Sequence, residues 1–469
     1  MAKDYGSDLA DEFRDAKLGD PRRVRRLSWV AERVGQSPGL SFPKIASNPS
    51  ELEAMYRFFG NEHVEWEAVL APHVEATVAR CEAEPVVLVV HDTTEFSFAT
   101  EDAREGMGYL TGGGRGFEGH FALAVSPEGT GVPLGVLGML PQVRKERSPK
   151  IGGRPVKRVK GRPRNELEAD RWRKLAVSTE RRIPEATRKV HVMDSAADSY
   201  PLFCELIDEN ISFVIRGHYD RHLEGKLRLS EHLNTIESRM FREVPISARK
   251  GHAAKHRKRS AVTRNARQAT LHIKTTSLEL PRPLHDKERA PSLSLNVVQV
   301  KEHDVPEGMV PVEWMLLTTE PVDTPEAAER VVDIYRARWR IEELFKALKT
   351  GCAYESRQLM SMHALLNALA VLIPIAWRLL VLRHLSRAAE DVPASNVLTP
   401  EEVVILRAMS KRVRLGPSPT AQDALCAIAG LGGHLKQNGP PGWQTIWAGF
   451  ATFSIAVEAW RAAKTSDQS

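Results

Sequence analysis

A chain of 469 residues, 42% apolar and 27% charged, has the composition of a soluble globular protein and enough length for two or three domains around large cores. Its four cysteines (Cys81, Cys204, Cys352, Cys426) are isolated, with no CxxC pair, which excludes a disulfide framework and suits a reducing compartment. The net charge of +6 is modest but uneven: Arg144 to Arg164 holds ten Lys/Arg against Glu146 alone, and Arg249 to Arg267 holds eight with no acid. Such stretches attract polyanions through counterion release, although either could be a solvated loop.

Residues 1 to about 75 read as helical. Leu9, Ala10, Phe13 and Leu18 keep a rough helical period, and Gly19-Asp20-Pro21 opens an arginine-rich helix. There Arg22, Arg23, Arg25 and Arg26 flank an apolar stripe of Leu27, Trp29, Val30 and Val34, a pattern shared by plain surface helices and by helices that touch phosphates. No basic segment followed by an apolar run opens the sequence, so no signal peptide is expected and the setting is cytoplasmic.

From about residue 84 the pattern turns to strands. Pro85 to Val90 is a continuous apolar run, as in a strand buried on both faces, and it delivers His91-Asp92-Thr93-Thr94 at its C-terminal end. After the glycine-rich segment 112–116, His120 to Val125 and Val132 to Leu140 read as a hairpin around 126–131. The first basic stretch and a helix from Glu166 to Thr179 follow. Lys189 to Met193 is a further apolar strand ending at Asp194, and Ile211 to Arg216 is another. Residues 225–320 read as a strand-rich insertion carrying the second basic stretch, with β-like runs at Thr270 to Thr276, Ser294 to Val300 and Trp314 to Thr318. One long helix is expected from Pro325 to Lys349 and another from His363 to Arg387. Ala364 to Leu382 is apolar and long enough to cross a bilayer, but it carries Asn367, Pro374 and Arg378 between charged helices and reads as core. Beyond Pro400 the chain is helical.

Two features carry chemistry. Asp92 and Asp194 each sit at or just past the end of an apolar strand, on strands expected to be sheet neighbours, and that edge of an open α/β sheet is where sites are built. Singly, such an aspartate is more often a turn former or helix cap; together they suit a shared Mg2+ or Mn2+. The second feature is the segment 335–349. On a 3.6-residue period, Tyr335, Arg338, Glu342, Lys346 and Lys349 share one face. That face can be an exposed helix laced by i,i+4 pairs, or a site in which Glu342 completes a metal centre while the cations hold phosphates.

Asp92-Thr93-Thr94, Asp194 with Ala197-Asp198, and the Tyr335, Arg338, Glu342, Lys349 spacing resemble the signature of bacterial DDE transposases of the insertion-sequence-four family, in particular the cut-and-paste enzymes of the transposon-five type. Gly19 to Arg23, Tyr56-Arg57-Phe58, Trp314 to Pro321, Leu398 to Glu401 and Leu431 to Gly433 extend the resemblance along nearly the whole chain; Ser195 and Ala196 depart from it, where the closest relatives carry charged residues.

The resemblance implies an α/β, RNase H-like catalytic core (76–385) with a β-rich insertion at 225–320. A helical N-terminal domain (1–75) would bind the transposon end, and a helical C-terminal region (386–469) would pair two protomers as a homodimer. By the same resemblance Asp92, Asp194 and Glu342 ligate two Mg2+ ions, replaceable by Mn2+. Tyr335, Arg338 and Lys349 bind the phosphate ending the non-transferred strand, Arg216 contacts a phosphate, and Trp314 stacks a base flipped out in a hairpin step, unless it is a core aromatic. Double-stranded DNA is the expected partner. The alternatives are a nuclease of the same fold and a non-catalytic DNA-binding derivative.

Overall fold

The computed structural model describes residues 12–466 except 99–103, 112, 128–130, 145–149, 152–153, 156–169, 239, 247–265, 285, 287, 308, 310, 388–391, 436 and 438. Most of both basic stretches, Leu9, Ala10, Gly112 and the 128–130 turn therefore lie outside the described residues.

The helices α1 (Pro21–Gln36), α2 (Phe42–Ile45), α3 (Pro49–Phe59) and α4 (Trp66–Glu82) come first. Next are β1 (Val86–Ser97), β2 (Gly108–Tyr109), β3 (Arg115–Val125), β4 (Pro133–Gln142), β5 (Lys150–Ile151), β6 (Arg154–Pro155) and α5 (Asp170–Arg182). The centre of the chain holds β7 (Arg188–Met193), α6 (Tyr200–Asp208), β8 (Phe213–Arg216), α7 (Leu229–Thr235), β9 (Met240–Ile246), β10 (Arg267–Pro281), β11 (Ser292–His303) and β12 (Glu313–Thr318). It closes with α8 (Pro325–Ala337), α9 (Trp339–Lys346), α10 (Met362–Leu385), α11 (Pro400–Met409), α12 (Ala421–Leu431) and α13 (Trp443–Ser466). The chain divides into two compact units, the first made of Met1–Arg162, Arg181–Arg188 and Trp339–Ser469, the second of Pro163–Glu180 and Lys189–Arg338.

In the first unit β3 is the central strand, antiparallel to β1 along one edge and to β4 and β2 along the other. Its core is aromatic: Phe96 meets Tyr354 edge-on at 4.9 Å and Phe117 at 5.3 Å. The apolar segment expected as core is α10, and 94% of its apolar window is buried. Buried on this helix, Asn367 donates to the carbonyls of Phe59 (2.9 Å) and Val64 (2.8 Å), which ties α10 to the end of α3. At the C-terminal end Gly432 and Gly449 let helices touch backbone to backbone. A Cβ on Gly449 would lie 1.7 Å from the Ile428 carbonyl oxygen, so no larger residue fits there.

In the second unit β7 and β8 are parallel, and β12, β11, β10 and β9 follow in antiparallel order. The insertion strands thus extend the sheet that β7 and β8 begin. The core beneath includes Phe203 stacked on Phe213 at 5.7 Å, with Trp172, Leu206 and Leu317 buried around them. Arg267, the last cation of the second basic stretch, forms a two-pronged pair with buried Glu302, both bonds 2.8 Å.

Candidate active site and DNA-contacting residues

Asp92 lies in mid-strand, a correction to its expected place at a strand end. β1 runs on to Ser97 because β3 pairs with it throughout, from Leu88 opposite Val125 to Ser97 opposite Gly116, with Asp92 opposite Phe121. What changes at Asp92 is burial: Val87 to His91 are buried in succession, whereas Asp92 and Thr93 are partly exposed. The Asp92 carboxylate accepts the Thr93 N–H at 2.7 Å, and the Thr93 hydroxyl lies 2.9 Å from His120 Nδ1.

The expected single helix from Pro325 to Lys349 is divided. Its α-helical pairing is interrupted at Arg338, and its C-terminal turn, Ala347–Gly351, is a π-helix. α9 packs on β1 and β3 because Ile341, Leu344 and Phe345 form a buried stripe, with Phe345 edge-on to Phe121 at 5.4 Å. Glu342 faces away from that stripe and is partly exposed, and Lys346 is exposed. Lys349 donates to the Glu95 carbonyl oxygen, lies 3.7 Å from Glu355 and sits over the Phe96 ring at 5.5 Å. Glu355 also accepts the Ser97 N–H at 2.8 Å. Nothing in the local sequence marks Glu355, which lies 258 residues from Ser97 along the chain.

Asp194 follows β7 as expected. It caps the short 3-10 turn Ser195–Ala197, accepting the Ala196 N–H at 2.8 Å, and remains partly exposed. Asp198, quoted in the motif without a role, is buried and accepts the His218 and Tyr219 N–H groups (2.6 and 2.9 Å) and the Arg221 guanidinium, pinning the loop after β8.

Within this unit, Tyr335, Arg338, Arg216 and Trp314 form one cluster. Tyr335 is buried, with the Trp314 ring edge-on at 5.5 Å and the Arg338 guanidinium 5.9 Å over its own ring. Burial raises the phenol's pKa above its ordinary value, against the opposing pull of Arg338 and Arg216, both of which hydrogen-bond to it. Two cations therefore flank a neutral phenol. Trp314 is half-buried against that phenol. Lys346 and Lys349 belong to the other unit.

On α1, Arg22 and Arg26 are exposed, with Arg26 over Trp29 at 5.1 Å, while Leu27, Val30 and Val34 are buried. Arg23 differs from them: it is partly buried and donates to the Leu18 carbonyl at 2.9 Å, bracing the turn at Gly19, whose φ of +73° favours glycine. Asp20 caps the helix by accepting the Arg22 N–H at 2.7 Å.

Residues 7–64 match the family described as transposase DNA-binding, and residues 152–375 match the family described as transposase DDE domain. With its mixed α/β sheet and helical flanks, the chain is an RNase H-like DDE transposase, an enzyme acting on DNA. Among solved structures it is similar to a piggyBac transposase in a synaptic complex with hairpin DNA, at 10% identity and a TM-score of 0.36, covering 81% of this chain and 74% of that one. A DDE domain implies dependence on a divalent cation. Asp92 and Glu342, partly exposed carboxylates on packed elements of one unit, fit that use by their hard oxygen donors. Among the described residues no group of three His, Cys, Asp or Glu is arranged as a metal cage.

Proposed function

We propose that this DNA transposase works by cut-and-paste, with Asp92, Asp194 and Glu342 as catalytic carboxylates and with Tyr335, Arg338 and Arg216 gripping a DNA phosphate. The cluster around Tyr335 carries the reading. Two guanidiniums beside a buried neutral phenol offer net positive charge and planar donors at one spot, which suits a phosphate better than a neutral ligand. Mg2+, with Mn2+ as substitute, would be held by the three carboxylates and would supply Lewis-acid activation of the nucleophile and stabilisation of the leaving oxygen.

The chain's own residues do the positioning. α9, anchored by Ile341, Leu344 and Phe345, holds Glu342 on a rigid element, and β3 does the same for Asp92. Water serves as nucleophile in the first cut, and the freed 3′-hydroxyl serves in joining, so one carboxylate set suffices for both. Trp314, half-buried beside Tyr335, would stack an unpaired base in a hairpin step. Arg22 and Arg26 on α1 would meet transposon-end phosphates, with Arg23 bracing that helix. Under this reading residues 1–75, 76–385 and 386–469 serve end binding, catalysis and homodimer pairing, in a transposon-five-like enzyme of the bacterial cytoplasm.

Alanine at Asp92, Asp194 or Glu342 should abolish cleavage of a terminal-repeat plasmid with Mg2+, by about a thousandfold or more, while end binding in a gel shift survives. A variant that still nicks DNA at the wild-type rate overturns the assignment. Precut ends supplied with a target plasmid should give joined products, which a simple nuclease would not yield.

A further inference from the structure

The insertion strands bury one face of their sheet along its length; the other is buried where Leu280, Leu293, Leu295, Val297 and Leu317 join the core and opens beyond it, towards β9. In the cross-strand register Phe241, His272, Lys301 and Glu313 form one row, and Glu243, Thr270 and His303 the next. Side chains in register project to the same side, and the intervening residues Ala269, Leu271, Ile273 and Val300 are buried on the opposite side. The open face therefore carries a line of three rings. Phe241 is 58% exposed and meets His272 edge-on at 4.5 Å; His272 stacks on His303 at 4.2 Å and 22°.

A large exposed aromatic in line with two stacked imidazoles is costly to leave in water and serves no packing purpose on that face. The imidazoles overlap by their faces rather than aiming ring nitrogens at a common point, so the arrangement favours a stacking partner over a metal ion. Burial, followed by the neighbouring His303, lowers the His272 pKa and so favours the uncharged ring. Lys301 is exposed beside the rings, Lys274 donates to the Leu233 carbonyl at 3.1 Å, Asp304 lies 3.2 Å from His303 Nε2, and Glu243 and Glu313 share the face.

We propose that this face binds single-stranded DNA, with bases stacking on Phe241 and His303 and Lys301 meeting the backbone. Exposed rings beside cations are the surface that unpaired bases use, because every base has a π-face and a duplex hides its own. The inference rests on the chain being a DNA transposase but not on which residues cut, so it is tested without chemistry.

Full-length protein in EDTA would be titrated against a labelled oligothymidine about 15 nucleotides long, and separately against duplex terminal repeat. Phe241→Ala with His303→Ala should weaken oligothymidine binding roughly ten- to a hundredfold while leaving duplex affinity and the melting temperature unchanged. Lys301→Ala should flatten the salt dependence by about 0.7 in log–log slope. Should the double variant melt early, Phe241→Trp serves instead and should bind as well as or better than wild type. The proposal is overturned if wild type does not bind the oligothymidine, if the ring variants bind it unchanged, or if duplex affinity falls in parallel. Failure of the carboxylate assignment would instead appear only in the presence of Mg2+, as cleavage by an alanine variant.

Discussion

On α9, Glu342 is partly exposed and Lys346 fully so, while on α8 Tyr335 is 3% exposed, and Arg338, the residue that closes that helix, is 8% exposed. These residues come from one short motif, yet those on α9 stand in solvent and those at the end of α8 are buried. An exposed lysine keeps most of its rotamer freedom and is screened by salt, so it offers an anion attraction without a fixed geometry. A buried guanidinium beside a buried phenol has given up that freedom during folding, and its donors point one way before any ligand arrives. The comparison teaches that buried donors can fix where an anion sits, whereas exposed ones only draw it in.

The sharpest test of that division is the cost of buried charge in the second unit. Glu302 has a side chain 1% exposed, holds Arg267 by two bonds of 2.8 Å and also accepts the Val312 N–H. Glu302→Gln would leave the guanidinium buried without its counter-charge and should destabilise the protein by about 3–5 kcal/mol, read as a lowered urea midpoint. The exposed pair Arg57–Glu53 of the first unit should be worth roughly 0.5 kcal/mol on Glu53→Gln. Equal effects at the two sites would break the comparison.

Much of the architecture was legible because burial leaves periodic marks. The runs at Pro85 to Val90 and Lys189 to Met193 became β1 and β7, and α10 fell within two residues of its expected limits, because continuous apolar segments have few ways to be satisfied. The length of β1 past Asp92 was not legible: it depends on pairing with β3, and Asp92 and Glu95 do not look like strand residues on their own. The break at Arg338 was equally hidden, since every residue from Pro325 to Lys349 suits a helix and the interruption arises from packing. Of the candidate site, spacing alone brought Tyr335 and Arg338 into view, but Arg216 and Trp314 join them only through the register of β8 with β12. Glu355 and the clamp made by Asp198 depend on contacts that no local pattern encodes.

In the first unit His384 is buried as a neutral group. Burial, with Arg340 and Arg387 adding to it, lowers the His384 pKa to about 3. An unfolded chain takes up that proton near pH 6.5, whereas the folded chain refuses it until about 3. Between those values the unfolded state binds more protons, so stability is lost as pH falls, by about 1.4 kcal/mol per pH unit from this residue. His384→Leu should flatten that slope in urea titrations run at pH 6.5 and lower. An unchanged slope would mean that the imidazole is solvated.

The removal of a single hydroxyl bears most directly on what the second unit's cluster is for. Tyr335→Phe removes one hydroxyl and leaves the ring, so the contact with Trp314 persists while Arg338 and Arg216 each lose a bond. Each bond comes from a charged donor and is worth about 1.5–3 kcal/mol, which predicts a clear drop in the urea midpoint and a slower joining of precut ends. If the cluster grips a phosphate, joining should suffer more than stability, and the defect should deepen with salt because the two remaining guanidiniums are no longer held in place. If it is a folding brace, the midpoint falls and the joining rate per folded molecule does not. That split decides whether burial in the second unit serves the reaction or only the fold.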